Sequence, residues 1–297
     1  MRILLIGGNG QVGTELRRAL APLGELLVTT RSGESLNGKT TLACDLSTPN
    51  AARHVIEMVR PDVVINATAY TAVDKAETEP ALATQINANA VEDMATACKA
   101  IGIPLVHYST DYVFDGQGTA PYLPNAKTDP LGIYGQSKLE GEQTIRTSGV
   151  QHLILRTAWV YALHGHNFLR TMLRVGAERD TLRVVGDQIG SPTPAWLIAD
   201  VTAQILQNGI GQGGTHHLVT TGQTSWHGFA EAIFDTAFER GLIARKPSVE
   251  AITSDEYPTP AKRPAWSVLD THSLQSTYEV RLPDWRTALD TTFAQST

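Results

Sequence analysis

Residues 2–24 read RILLIGGNGQVGTELRRALAPLG, and this stretch decides the predicted fold. An apolar run typical of a buried parallel strand leads into Gly7, Gly10 and Gly13, and a helical pattern that ends at Gly24 follows. Glycine permits a tight turn and a close approach to a pyrophosphate, and a helix N-terminus offers unpaired N–H groups. We therefore expect the three glycines to bind a dinucleotide. A strand-to-helix turn without a ligand is the alternative.

Apolar runs and helical patterns continue to alternate through the first half of the chain. The predicted strands are LLVTT, DVVINATA, PLVHYST and QHLILRTAWVY, and the predicted helices are AARHVIEMVR, PALATQINANAVEDMATACKAIG and YGQSKLEGEQTIRTSG. Strict alternation predicts an α/β fold with a doubly wound, Rossmann-type parallel sheet. After about Tyr161 the rhythm loosens. We expect a dinucleotide-binding domain at 1–165, either alone or with part of 190–225, and a smaller α/β substrate domain at 166–297.

Composition excludes several classes of protein. The chain has 297 residues and a net charge of −6, which argues against disorder and against nucleic acid or an anionic membrane as the main partner. Cys44 and Cys98 have no metal-like spacing and are expected to be buried, reduced thiols. The apolar run at the N-terminus is too short for a signal peptide or a membrane span. We expect a cytoplasmic protein that acts on small molecules.

The end of the second predicted strand bears on the choice of cofactor. An acid there would accept a hydrogen bond from the ribose 2′-OH of NADH, whereas a base there would pair with the 2′-phosphate of NADPH. The sequence VTTRSG has no acid at the tip and places Arg31 immediately after it. A guanidinium suits a phosphate, so NADPH is favoured, with NADH possible. A solvated loop arginine is the alternative.

Two further stretches of sequence contain a candidate reaction centre. HYSTDYVFDG places Ser109 and Thr110 at the carboxyl end of a strand, the edge where ligands bind in open α/β sheets. YGQSK places Tyr134 and Lys138 one helical turn apart, so a phenol and an ammonium can face one cleft. The cation is expected to lower the pKa of the phenol by about two or three units and make it an effective proton donor.

These motifs together resemble a known family. GGNGQVG, the Ser/Thr before Tyr-x-x-x-Lys and the strand order resemble the extended short-chain dehydrogenase/reductases. Within that superfamily the chain is similar to the dTDP-4-dehydrorhamnose reductase family along nearly its whole length. The supporting stretches are GGNGQVG, NATAYTAVDKAE, STDYVFDG, YGQSKLEGE, LRTAWVY, GDQIGSPT and RPAWSVLD.

The resemblance implies reduction of the 4-keto group of dTDP-4-dehydro-L-rhamnose for cell-surface polysaccharide such as lipopolysaccharide. Thr110 would be the active-site hydroxyl, Tyr134 the general acid and Lys138 its partner, which also contacts the nicotinamide ribose. The implied cofactor contacts are Gly7, Gly10, Gln11 and Val12 at the pyrophosphate, Asp45 and Leu46 at the adenine edge, and Ala67, Thr68 and Ala69 beside the ribose and nicotinamide. The implied substrate contacts are Asp111, Tyr112 and Trp159, with Val73 added to this set.

The pair that follows Thr110 separates two chemistries. Dehydratases of the superfamily carry Asp-Glu there, because eliminating water needs an extra acid and base. This chain has Asp111 and Tyr112, so the resemblance favours a reductase. Non-catalytic regulatory subunits of methionine adenosyltransferase also resemble the family, and they form the alternative together with a reductase of another 4-keto sugar nucleotide.

Several roles stay open at the level of sequence. Asn87 matches an asparagine that bends a helix in the superfamily, or it faces a neighbouring backbone. Arg263 pairs either with a nucleotide phosphate or with a nearby helix. Some relatives dimerise around magnesium held by glutamates, and Glu15 could be one ligand, but Trp196 stands where a second is expected. We expect no metal site, and either a monomer or a metal-independent homodimer.

Overall fold

The computed structural model describes residues 1–295 and shows helices and strands alternating through the first half of the chain. The strands are β1 (Arg2–Ile6), β2 (Glu25–Thr30), β3 (Leu42–Ala43), β4 (Val63–Asn66), β5 (Leu105–Thr110), β6 (His152–Thr157), β7 (Val160–Tyr161), β8 (Thr181–Val185), β9 (Ile189–Gly190), β10 (Thr193–Pro194), β11 (Gly214–His217), β12 (Thr224–Ser225) and β13 (Ser248–Ile252). The helices are α1 (Gln11–Leu20), α2 (Ala51–Val59), α3 (Val73–Ala76), α4 (Pro80–Thr84), α5 (Ala90–Ile101), α6 (Ile133–Ser148), α7 (Phe168–Glu178), α8 (Ala195–Asn208), α9 (Trp226–Glu239), α10 (His272–Tyr278) and α11 (Trp285–Ala294). Among the helices in these 295 residues, none has the length and apolar character needed to cross a bilayer.

Seven parallel strands form the central sheet, in the order β11-β6-β5-β4-β1-β2-β3. Successive side chains of a strand point to opposite faces, and β1 shows the result. Ile3 and Leu5 join the core beneath α1 and α8, whereas Leu4 and Ile6 join the core beneath α2 and α5. A strand that is buried on both faces needs an unbroken apolar run, which RILLI supplies. The predicted doubly wound sheet is confirmed.

A separate core lies beyond the sheet. Tyr161, Leu169, Phe229, Phe234 and Leu289 pack together, and the parallel pair β8 and β13 covers this cluster. The chain also returns to the large sheet after α7, since β11 pairs with β6 and α8 packs against α1. Residues around 195–217 therefore contribute to the dinucleotide-binding part of the fold, while the boundary near residue 165 stays a prediction.

Two predicted elements are interrupted in the structure. QHLILRTAWVY was expected to be one strand, but it divides into β6 and β7 because Trp159 has a left-handed backbone, with φ of 50°. The long helix expected from Pro80 to Gly102 contains a π-helical turn at Gln85–Asn89 between α4 and α5. Such turns and left-handed residues are costly, and they are frequent beside functional sites.

Candidate active site

A cleft of about 800 Å³ opens at the carboxyl ends of the central strands. It collects almost every residue that the sequence singled out for the cofactor or the substrate. Those that line it are Gly7, Gly10, Gln11, Val12, Arg31, Asp45, Leu46, Ala67, Thr68, Ala69, Val73, Thr110, Asp111, Tyr112, Tyr134, Lys138 and Trp159. Parallel strands bring their carboxyl ends to one edge, so residues distant in sequence meet there.

The glycine loop fits a pyrophosphate. Gly7 has φ of 88°, and a Cβ at this position would collide with Thr68 Cγ2. Gly10 precedes α1 and lines the cleft with Gln11 and Val12, and no side chain caps that helix end, so the partial positive charge of the helix N-terminus lies at the cleft. Gly13 was expected to contact the cofactor, but it does not line the cleft. A Cβ at Gly13 would collide with Gly7 O, so the role of this glycine is to let α1 pack closely against the turn that follows β1.

The candidate reaction centre lies between β5 and α6. The Thr110 hydroxyl donates to Asp111 Oδ1 at 2.9 Å and accepts from Tyr112 N at 3.2 Å. The rings of Tyr112 and Tyr134 meet edge to face, with centroids 5.4 Å apart. Burial raises the pKa of Asp111 to about 6, although the hydrogen bond from Thr110 opposes this shift. The Thr110 hydroxyl, the Tyr134 phenol and the Asp111 carboxyl group thus lie together in the cleft.

The pKa of Tyr134 is shifted in the opposite direction to the sequence prediction. Part of the residue is accessible from the cleft, yet burial is the largest influence on the phenol and raises its pKa. The Thr110 hydroxyl lowers the pKa, and the neighbouring Asp111 and Tyr112 raise it. The expected lowering by Lys138 is therefore wrong for this structure, in which desolvation dominates. A raised pKa keeps the phenol protonated at neutral pH.

Lys138 is 2 % exposed, and its ammonium is directed to the strand behind it. Nζ donates to Tyr108 O at 2.7 Å and lies 3.3 Å from His107 Nε2. Burial lowers the pKa of Lys138 to about 8, and the negative charge of Glu142 opposes that shift. Lys138 therefore titrates much nearer to neutrality than an exposed lysine does.

Residues 1–297 match the sequence family described as the RmlD substrate binding domain. The chain belongs to this family. Over 290 residues it is 44% identical to the dTDP-4-dehydrorhamnose reductase of Shigella flexneri, an alignment that covers 96% of this chain and 95% of the relative. A relative from Burkholderia thailandensis with the same name is also 44% identical, over 300 residues and 97% of both chains.

Solved structures of this family agree with the fold. A dTDP-4-dehydrorhamnose reductase from Clostridium acetobutylicum is 34% identical and superposes with a TM-score of 0.90, covering 100% of this chain and 99% of the other. The enzyme from Bacillus anthracis, solved in complex with NADP, is 32% identical with a TM-score of 0.89 and covers 99% of both chains. The family resemblance read from the sequence is confirmed.

Within this family member, the rim of the cleft near Arg31 also carries an acid. Glu34 accepts from Asn9 Nδ2 at 2.9 Å and from the Ser32 hydroxyl, and these three residues line the cleft together with Arg31. The hydrogen bond from Ser32 holds the pKa of Glu34 below its usual value. The sequence prediction considered only the strand tip and missed Glu34, because a loop brings it back to the glycine turn.

The C-terminal part of the chain reaches the cleft through Arg263. Its guanidinium pairs with Asp74 Oδ2 at 2.7 Å and donates to the Tyr112 hydroxyl at 3.3 Å. Asp74 lies in α3, so the alternative in which Arg263 binds a nearby helix describes this structure. Trp159, which lines the cleft, stacks on Trp226 of α9 with centroids 3.6 Å apart. Both contacts join the C-terminal part of the chain to residues that line the cleft.

Asn87 and Glu15, whose roles the sequence did not decide, both form hydrogen bonds within the protein. Asn87 lies in the π-helical turn, accepts from Tyr70 N at 2.8 Å and donates to Ser137 Oγ at 3.0 Å, so it joins that turn to α6. Glu15 accepts from His164 Nε2 at 2.8 Å and from Arg18 Nε at 3.3 Å. Among residues 1–295 no three acidic, histidine or cysteine side chains are grouped closely enough to hold a metal.

Proposed function

We propose that this chain is a cytoplasmic, NADPH-dependent oxidoreductase that reduces the 4-keto group of dTDP-4-dehydro-L-rhamnose to give dTDP-L-rhamnose, with NADH as a possible second cofactor. The observation that carries the proposal is the meeting of Thr110, Tyr134 and Lys138 in one cleft with the glycine loop. The names of relatives that are 44% identical over most of the chain support the choice of substrate.

When bound, NADPH supplies the hydride. The Tyr134 hydroxyl donates a proton to the developing alkoxide at C4, and its raised pKa keeps that proton available at neutral pH. The Thr110 hydroxyl orients the carbonyl oxygen beside the phenol. Lys138 stabilises the tyrosinate through its charge and would hold the nicotinamide ribose. Tyr112 stands where a dehydratase carries an acid, which supports simple reduction.

The first prediction concerns Tyr134. In Tyr134→Phe we expect turnover to fall by about a hundredfold or more, because one general acid typically contributes that much. The Kd for NADPH, measured by fluorescence titration, should stay nearly unchanged. Tyr122→Phe is the matched control, since the Tyr122 hydroxyl bonds Asp115 away from the lining residues of the cleft. Near-normal turnover in Tyr134→Phe would refute the assignment.

The same assay separates the alternatives. NADPH oxidation is followed with dTDP-4-dehydro-L-rhamnose and with a panel of other 4-keto sugar nucleotides. Oxidation with another sugar alone would indicate a different reductase, and no oxidation with any of them would favour a regulatory subunit. For the assembly we propose a monomer or a homodimer without a bridging metal, supported by the contacts of Glu15 with His164 and Arg18. A dimer that dissociates on chelation in ultracentrifugation would contradict it.

A further inference from the structure

His107 is buried beside the cleft and contacts Lys138 of the reaction centre. The residue is fully buried in β5, with Nε2 at 3.3 Å from Lys138 Nζ and Nδ1 at 3.0 Å from Asn66 Nδ2. Burial and the charge of Lys138 hold the pKa of His107 well below its usual value. Both influences favour the neutral ring, which has one N–H donor and one acceptor.

Asn66 decides which ring nitrogen carries the proton. Thr68 N, which can only donate, lies 3.0 Å from Asn66 Oδ1, and the Thr68 hydroxyl donates to the same oxygen at 2.5 Å. The amide oxygen of Asn66 must therefore face Thr68, and its NH₂ group must face His107 Nδ1. Nδ1 then accepts, so the proton of the neutral ring resides on Nε2.

This tautomer directs an N–H group at Lys138. Tyr108 O takes one N–H of the lysine at 2.7 Å, and His107 Nε2 lies on a second side of Nζ. If Lys138 is an ammonium, the Nε2–H group meets another donor. If it is an amine, its lone pair accepts that hydrogen bond. The contact thus favours the uncharged form.

We propose that His107 is a positioning residue for Lys138. Together with Asn66 it destabilises the ammonium form of Lys138 and thereby sets the pH above which the reaction rate falls. The other titratable and charged groups around Lys138 and the phenol are Tyr134 and Glu142 on α6, Arg146 and Arg156, which bind Glu142, and Asp111 and Tyr112 after β5. The activity readout rests on the function proposed above, whereas the spectroscopic readouts below do not.

The tautomer is tested in the unaltered protein. Long-range ¹H–¹⁵N spectra of the imidazole rings distinguish the two neutral tautomers, and His107 is assigned as the signal that His107→Gln removes from the nine histidines. We expect a proton on Nε2 at every pH between 6 and 9. A proton on Nδ1 would overturn the proposal.

Two variants test the effect on Lys138. In His107→Gln the amide reaches the Nε2 position and can turn its oxygen to Nζ, so the pKa of Lys138 and the alkaline limb of kcat/KM should both rise by about one pH unit or more. In His107→Asn the amide reaches only the Nδ1 position, so the donor is removed without a replacement and an intermediate shift is expected.

Lysine ¹³Cε titration measures the pKa directly, because only seven lysines are present and Lys138→Met identifies the signal. This readout holds even if the parent protein does not oxidise NADPH with the sugar nucleotide, which would refute the proposed function instead. An unchanged Lys138 pKa in both variants, with turnover reduced equally at every pH, would show that His107 only fills space and would overturn the proposal.

Discussion

Lys138 and Arg156 are both 2 % exposed, but the structure surrounds these two buried cations differently. Arg156 binds the Glu142 carboxylate with two hydrogen bonds of 2.8 and 2.7 Å, donates to Pro124 O at 3.0 Å and lies over the Phe114 ring. Among residues 1–295, the hydrogen-bond partners of Lys138 are neutral, a backbone carbonyl and a histidine. Arg156 is paired directly with a carboxylate, whereas Lys138 is influenced by the charge of Glu142 without a hydrogen bond to it.

The difference separates a structural charge from a functional one. Burial alone would raise the pKa of Glu142, but the hydrogen bonds and charge of Arg156 hold it below its usual value. That pair stays ionised and joins α6 to β6. Lys138 has a pKa of about 8 because burial penalises its charge. A group that changes its charge near neutral pH can respond to the reaction, whereas Arg156 cannot.

The largest effect on stability is expected when the ion pair of Glu142 and Arg156 is broken. Glu142→Gln leaves the Arg156 guanidinium buried without a counter-charge, which costs about 3 to 5 kcal/mol of the free energy of unfolding. Urea unfolding at pH 7 measures it. Glu140→Gln, on the same helix and bonded only by Gln136, is the matched control and should change stability by less than about 0.5 kcal/mol.

The ion pair of Glu142 and Arg156 also predicts how the stability of the protein changes with pH. Since the folded pKa of Glu142 is lowered, its contribution is present above the unfolded value of 4.5 and is lost as the pH falls through the folded pKa. The gap between the parent and Glu142→Gln should therefore close in acid, where both side chains are neutral. A gap of constant size from pH 7 to pH 3 would contradict this account.

Much of the fold follows from local sequence. The glycine loop and the alternation of buried runs with helices are written in short windows, so the parallel sheet was predicted. The return of β11 to the sheet and the division of QHLILRTAWVY at Trp159 depend on what packs there from distant parts of the chain. Periodicity within a window carries no information about such contacts.

The site divides in the same way. Thr110, Tyr134 and Lys138 follow from a strand end and a four-residue spacing. The surroundings of these groups do not, because His107 of β5 contacts Lys138 and Asn66 of β4 in turn contacts His107. Desolvation of the phenol is likewise a property of the folded site. Sequence thus predicts which groups meet, but the direction of each pKa shift needs the structure.

The next largest effect is expected at Lys138, the buried cation without a directly bonded counter-charge. A drop in the pKa of Lys138 from 10.5 to about 8 corresponds to about 3 kcal/mol that the parent loses below pH 8 and recovers as the pH rises toward 10.5. Lys138→Met lacks this penalty, so we expect it to be more stable than the parent at pH 7, with the difference closing above pH 8. Turnover should fall and its alkaline limb should disappear.

The control for this prediction is an exposed lysine. Lys99 donates to Gly149 O on the surface, and Lys99→Met should alter stability by less than about 0.5 kcal/mol at each pH. If Lys138→Met were instead less stable than the parent by the same amount from pH 7 to pH 10, the ammonium would be a packing element. The contrast with Arg156 would then fail.

The smallest effect is expected from two exposed charged residues at the rim of the cleft, because solvent screens their influence on cofactor binding. Arg31 and Glu34 line the cofactor end with opposite signs, and a 2′-phosphate would be attracted by the first and repelled by the second. Glu34→Gln should therefore tighten NADPH binding relative to NADH by about two- to fivefold, and Arg31→Gln should weaken it by a similar factor. Fluorescence titration with each cofactor at low and high salt measures the ratio of Kd values, and both shifts should shrink in high salt. If the two variants moved that ratio in the same direction, charge at the rim would not govern the choice of cofactor, and discrimination would have to lie in the buried part of the cleft.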